Sequence, residues 1–217
     1  MSDDVKKPGN PAPDLRAQRV ARTEAELIDA ARSLFLEHGY VATTLAQIAQ
    51  QAGVAARTVY VRFGTKASLF RRVVDLALVG DAEPIDVAAP PRSQDAMTAV
   101  TLVERIEAIA DVSIGIAERA GALFEVAAQA EGLEPELAEA AQAGRHATAE
   151  LCRTIWGRAA EDHLLAEGLD PAGLAVATDV LICADTVVHL RRAQGWSAAA
   201  HRSLIVDTLT ALTRGPS

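Results

Sequence analysis

LAQIAQQAGVAARTVYVRFG, residues 45–64, holds two short helical patterns around a single glycine. Thr44 and Gln47 form a capping box, Leu45, Ile48, Ala49 and Ala52 recur at helical spacing, and Gly53 closes the first pattern. A second short helix is predicted over residues 55–63, with Gly64 stopping it. Ala49 is small where two helices cross, Gly53 supplies a turn that a side chain would obstruct, and Val59 packs the second helix back onto the first. This is the grammar of a helix-turn-helix. With Val59 and Phe63 facing inward, the pairs Arg57/Val61 and Thr58/Arg62 project from the other faces.

Helical signals extend to both sides. Upstream, Thr23 and Glu26 read as a capping box, followed by Leu27, Ile28, Ala31, Leu34 and Phe35 at helical spacing and by Gly39 as a terminator. Residues 1–21, with Pro8, Gly9, Pro11 and Pro13, read as a disordered leader ending in a basic arm of Arg16, Arg19 and Arg22. Downstream, Thr65 caps a fourth helix over residues 66–78. Residues 80–92 carry Pro84, Pro90 and Pro91 and read as a long irregular connection. Beyond it the helical period returns over residues 94–119, 122–130, 135–166, 171–193 and 197–212, with breaks at Gly121, Gly132, Gly168 and Gly195. No segment shows sustained period-two alternation. The expected fold is all-α with about nine helices: a three-helix head within residues 22–79 and a helical body over residues 93–217.

The net charge of −8 conceals an asymmetry. Residues 1–80 carry eleven Lys and Arg against eight Asp and Glu, a balance of +3; residues 81–217 carry ten against twenty-one, −11. Between Glu37 and Asp75 there is no acid, whereas Arg57, Arg62, Lys66, Arg71 and Arg72 lie there. A polyanion is attracted to that stretch and repelled by the rest. Arg57 has the reach to bond guanine O6 and N7 in bidentate fashion, Thr58 and Val61 suit a thymine methyl or a phosphate, and Tyr60 and Arg62 suit the DNA backbone. Thr44 and Lys66 begin helices whose N–H groups favour phosphate oxygens.

From Arg22 to Asp75 the sequence resembles the TetR-type DNA-binding domain, through Thr43–Thr44, Ile48–Ala49, Gly53–Val54, Thr58–Val59–Tyr60, Phe63 and the block from Lys66 to Phe70. The resemblance covers about a quarter of the chain. It implies a bacterial repressor with a DNA-binding head, joined through a fourth helix to a dimerising, ligand-binding body, in which Thr44, Arg57, Thr58, Tyr60, Arg62 and Lys66 occupy DNA-contact positions. Ala55 stands where the family often has a capping Ser or Thr, a loss of about 1 kcal/mol, and Val61 where an aromatic or polar residue is common.

In the body, residues 171–193 and 197–212 carry wide apolar faces, among them Leu174, Val180, Leu181, Val187, Leu204, Ile205, Leu209 and Leu212. The resemblance implies that these two helices pair across a two-fold axis into a four-helix bundle. A homodimer would set two recognition helices on a palindrome, roughly 34–36 Å apart. Candidate effector-binding residues are the polar or aromatic side chains flanking apolar stripes: Ser113, Phe124, Thr148, Cys152, Trp156, and Asp185 with His189 one turn on, a pair that also reads as an ordinary helix contact. Phe124 and Trp156 are the only aromatics between Phe70 and Trp196, so the sequence points to a small apolar or lipid-like effector rather than a caged cation. A ligand-independent regulator or an activator of the same fold is the alternative.

Other classes find little support. His38, His146, His163, His189 and His201 are scattered, no phosphate-binding glycine loop or nucleophile constellation occurs, and no metal or cofactor is expected. Cys152 and Cys183 sit in apolar surroundings and read as packing residues. No uncharged apolar run approaches the length of a membrane span, and residues 1–10 lack the apolar centre of a secretory signal, so a cytoplasmic protein is expected.

Overall fold

A computed structural model describes residues 15–80 and 91–214 of the chain, and every regular element among them is helical. The order is α1 (Leu15–Ala42), α2 (Leu45–Gln51), α3 (Ala56–Phe63), α4 (Lys66–Val79), α5 (Pro91–Thr98), α6 (Leu102–Ala130), α7 (Pro135–Glu161), α8 (Pro171–Ile182), α9 (Ala184–Gln194) and α10 (Ala198–Thr213).

The punctuation of the head is local. Thr44 Oγ1 accepts the Gln47 N–H at 3.2 Å while Gln47 Oε1 accepts the Thr44 N–H at 2.8 Å, starting α2. Gly39 leaves the helical path at φ 76° and ψ 176°, and carbonyls around it find side chains: Thr43 Oγ1 donates to Leu34 O and Gly39 O, and Lys66 Nζ to Tyr40 O and Thr43 O. Gly53 adopts φ 67°, yet a Cβ there would touch nothing within 4 Å. The turn needs glycine for its backbone angle, not for the space assumed from the sequence.

Two apolar clusters hold the chain together. One joins α1, α2, α3 and α4 around Phe35, Ile48, Val59 and Phe70 and continues into Ala120, Leu123 and Val126 of α6 and Leu137 of α7. Within it Phe35, Tyr40 and Phe70 pack ring on ring at 4.9–5.8 Å between centroids. The other lies in the body, where Ile106, Ile109, Ile155, Trp156, Leu174, Ile205 and Leu209 meet. Since α6 contributes to both, its C-terminal half carries the head and its N-terminal half belongs to the body.

Several boundaries differ from the sequence expectation. α1 begins at Leu15, so residues 15–21 extend the first helix instead of forming a disordered arm, and Thr23 and Glu26 lie within that helix rather than capping it; residues 1–14 lie outside the described residues. Of the connection expected at residues 80–92, residues 81–90 are likewise outside, while Pro91 and Arg92 already belong to α5. Gly121 does not break a helix. It lies inside α6, where a Cβ would come within 3.1 Å of Arg191 Cδ, so its absence lets α9 approach. The segment 135–166 stops being helical at Glu161, and the segment 171–193 is two helices bent by 46° at Cys183, whose ψ of 156° is extended. There Cys183 Sγ and Thr186 Oγ1 contact Val180 O, supplying side-chain partners at the break. The described residues thus form ten helices, not nine.

Candidate nucleic-acid interface

The outward face of α3 is built from the inside out. Val59 of α3 is fully buried against α2, and Val54 N–H bonds Ala49 O at 3.0 Å, which fixes the crossing of the two helices. The opposite face of α3 then has to stand in solvent. Arg57 is exposed, Tyr60 is 55 % exposed and Val61 74 %, a large apolar and aromatic exposure for so short a helix. Thr58 is half-buried beside them. Ala55 precedes the helix without a side-chain cap, as expected from its lack of a hydroxyl.

The other predicted contact residues divide. Thr44 is exposed at the start of α2 and serves as its cap. Arg62 is committed inward: its Nη1 donates to Glu24 Oε2 at 3.0 Å, with the side chain only 21 % exposed, and Arg72 Nη2 lies 3.8 Å from the other oxygen of the same carboxylate. Lys66 holds the end of α1 through its two carbonyl bonds and rests 4.1 Å above the Tyr40 ring. Burial lowers its pKa, opposed by the nearby Glu134. The ammonium of Lys66 is therefore an internal strut. Arg57, Tyr60 and Val61 stay exposed, flanked by Thr44 and Thr58.

Three residues that shape this face escaped the sequence reading. Glu24 neutralises two cations and ties α1 to α3 and α4. Glu134 accepts the Tyr40 hydroxyl at 3.0 Å, and Glu136 accepts Ser68 Oγ at 2.8 Å and Thr65 Oγ1 at 3.3 Å, so the first turn of α7 grips both α1 and α4. Isolated acids in a charged sequence give no signal of long-range pairing.

The seven predicted effector residues do not converge. Ser113 Oγ donates to Ile109 O and Thr148 Oγ1 to Gly144 O, each back onto its own helix. Phe124 packs against the head cluster. Cys152 is fully buried and desolvation pushes its thiol up to about 12. Trp156 Nε1 donates to Thr178 Oγ1 at 2.7 Å in the body core. Asp185 is not paired with His189: Arg145 takes it at 2.9 Å while also reaching Glu131 at 3.0 Å, and the hydrogen bond from Arg145 holds the Asp185 carboxyl below its ordinary value. A cavity between α6, α9 and α10, lined by Ile114, Val187, Trp196 and His201 among others, encloses about 40 Å³. An open hollow of about 330 Å³ lies in the head between α1 and α4. No single helix among the described residues is long and apolar enough to cross a membrane.

Residues 27–73, which span the buried half of α1, the helix-turn-helix and the first half of α4, match the profile of the "Bacterial regulatory proteins, tetR family". That segment is similar to the TetR-type DNA-binding head. Over 48 residues it is 46 % identical to the HTH-type transcriptional repressor ComR of Escherichia coli (strain K12), covering 22 % of this chain and 23 % of ComR. The chain spans half or less of the length of the curated relatives it matches. The TetR-type fold, in contrast, extends over nearly all of it. NalD of Pseudomonas aeruginosa, described as the secondary repressor of the MexAB-OprM multidrug efflux pump, superposes with a TM-score of 0.64 at 23 % identity, covering 89 % of this chain and 96 % of NalD. SmeT in complex with triclosan gives 0.68 at 22 % identity, covering 88 % of this chain and 90 % of SmeT.

Proposed function

We propose that this chain is a ligand-responsive transcriptional repressor of the TetR family that binds a palindromic operator as a homodimer and releases it on taking up a small apolar effector. The observation that carries the DNA-reading half is the outward face of α3. Arg57, Tyr60 and Val61 stand in solvent on a helix locked by Val59, in a stretch that lacks acids from residue 38 to residue 74. Support for two-fold pairing comes from the C-terminal helices, where Val176 and Val180 of α8 are 64 % and 59 % exposed and Leu212 of α10 is also solvent-facing. One helix-turn-helix makes few contacts, and a second on the same duplex multiplies affinity.

Effector control acts through the grip of α6 and α7 on the head. An effector need favour the non-binding arrangement by only about 1–3 kcal/mol to change operator affinity measurably. The name of NalD describes a repressor of a multidrug pump, and SmeT is seen with triclosan, a precedent within the fold for a small ligand of this kind. A ligand-independent regulator or activator is favoured by one observation: about 40 Å³ between α6, α9 and α10 is far below the roughly 300–1,000 Å³ of effector pockets.

Selection of bound duplexes from a random-sequence library by the full-length chain tests the proposal. The expected product is a pair of inverted half-sites about 10 bp apart centre to centre, bound by two copies. Recovery of no sequence, or of a single half-site bound by one copy, contradicts it. Displacement of that duplex by apolar compounds such as triclosan, and by none of a polar set, separates the ligand-responsive reading from the ligand-independent one.

A further inference from the structure

We infer that the N-terminal turns of α1 make a second DNA contact, with Arg19 and Arg22 holding backbone phosphates that flank the bases facing α3. This rests on the DNA-binding reading above. Residues 18–22 are exposed without exception, and five consecutive residues cover more than one full turn of helix. Among the described residues this part of α1 is left largely uncovered, with Ala21 at the rim of the open hollow beside α4, and only from Leu27 onward does the helix enter the head core.

Charge names the occupant. From residue 15 to residue 23 the sequence LRAQRVART holds three arginines and no acid. Arg22 has one partner, the exposed Glu26 at 3.6 Å, a surface pair of little strength that a phosphate can replace. Position agrees with charge. Glu24, the first acid after the arginines, is bonded by Arg62 near the end of α3, so the exposed turns begin beside the recognition helix. Nine residues of helix reach roughly 13 Å beyond that contact, a distance over which duplex DNA presents several phosphates. Glu24 itself is neutralised by Arg62 and Arg72 and does not repel the strand.

The test uses the full-length chain and the duplex it selects from a random library, in a long form and in a form trimmed to the selected bases. The wild-type chain, Arg19→Ala and Arg19→Ala/Arg22→Ala are compared across a KCl series. Alanine preserves the exposed helix, and circular dichroism checks that it does. Each lost phosphate contact lowers the slope of log K against log salt by about 0.9, so the single variant of a dimer is expected to lose about 2 and the double variant about 4. Trimming should weaken the wild-type chain and leave the double variant unaffected, with the selected sequence unchanged and Arg19→Lys retaining the slope. Equal slopes and equal sensitivity to trimming overturn the inference while leaving the role of α3 intact. Equal slopes with an altered oligomeric state assign the surface to protein contact, which also overturns it. If the wild-type chain selects no sequence, the DNA-binding reading fails first.

Discussion

Ser68 Oγ donates a 2.8 Å hydrogen bond to Glu136, binding the first turn of α4 to the first turn of α7. Thr65 reaches the same carboxylate, and one residue pair away Tyr40 bonds Glu134, which stands at the start of α7 without capping it. The body therefore holds the head at the two helices that bracket the helix-turn-helix. Glu136→Ala removes both acceptors at a partly exposed site, so a loss of about 1 kcal/mol and roughly 2–4 °C in Tm is expected by thermal unfolding. Operator affinity should change with it. An unchanged Tm and affinity would show that the contact is idle.

Trp156 and Thr178 form the equivalent polar link inside the body. The indole N–H is buried, and Thr178 Oγ1, which itself donates to Leu174 O, is its acceptor. Thr178→Val keeps the shape and strands the donor, which costs about 1–3 kcal/mol by urea unfolding. A change below the error of that measurement would mean that the indole finds another acceptor.

Cys152 is fully buried among apolar side chains, with its thiol raised to about 12 mainly by desolvation. A thiol reagent at about pH 8 should modify at most one cysteine of the folded chain, Cys183, and both after unfolding. Rapid modification of Cys152 in the native protein contradicts the packing described for α7 and α8.

Arg145 lowers the Asp185 carboxyl below its ordinary 3.8, chiefly through their hydrogen bond. A depressed folded-state pKa contributes stability that is fully present above the unfolded value, about pH 4, and is lost as pH falls through the folded one. Both side chains are substantially exposed, so the contribution is at most about 1 kcal/mol. Asp185→Asn should therefore lower Tm at neutral pH, and the gap should close on acidification below about pH 4. A gap that persists there assigns the effect to something other than this ion pair.

What the sequence made legible is local. Thr44 with Gln47, Gly53 and Gly64 mark α2 and α3 because caps and positive-φ glycines are decided by near neighbours. The start of α1 was not legible. Thr23 and Glu26 have the spacing of a capping box in mid-helix, and the preceding Leu, Arg, Ala and Gln favour helix without announcing where it begins. Cys183 breaks a helix with neither glycine nor proline, and Gly121 continues one, since tertiary contacts decide both. On α3, the exposure of Arg57 and Val61 followed from the inward position of Val59 and Phe63, whereas that reasoning also placed Thr58 and Arg62 outward, and both are half-buried. The fates of Arg62 and Lys66 did not follow, because their partners, Glu24 and the carbonyls of Tyr40 and Thr43, lie more than 20 residues away. The proposed effector residues failed to gather for a related reason: a hydroxyl on an apolar helix face can bond its own backbone and need no ligand.

If the exposed face of α3 reads base pairs, Arg57→Ala changes what the protein selects. Its operator affinity is measured by fluorescence anisotropy on the selected duplex and on a set carrying every single-base change in one half-site. A bidentate arginine contributes about 1–3 kcal/mol of discrimination, so the variant should bind at least several-fold more weakly and lose its preference at one base pair per half-site, with the others retained. Wild-type affinity together with an unaltered preference at every position would mean that α3 does not read bases through Arg57.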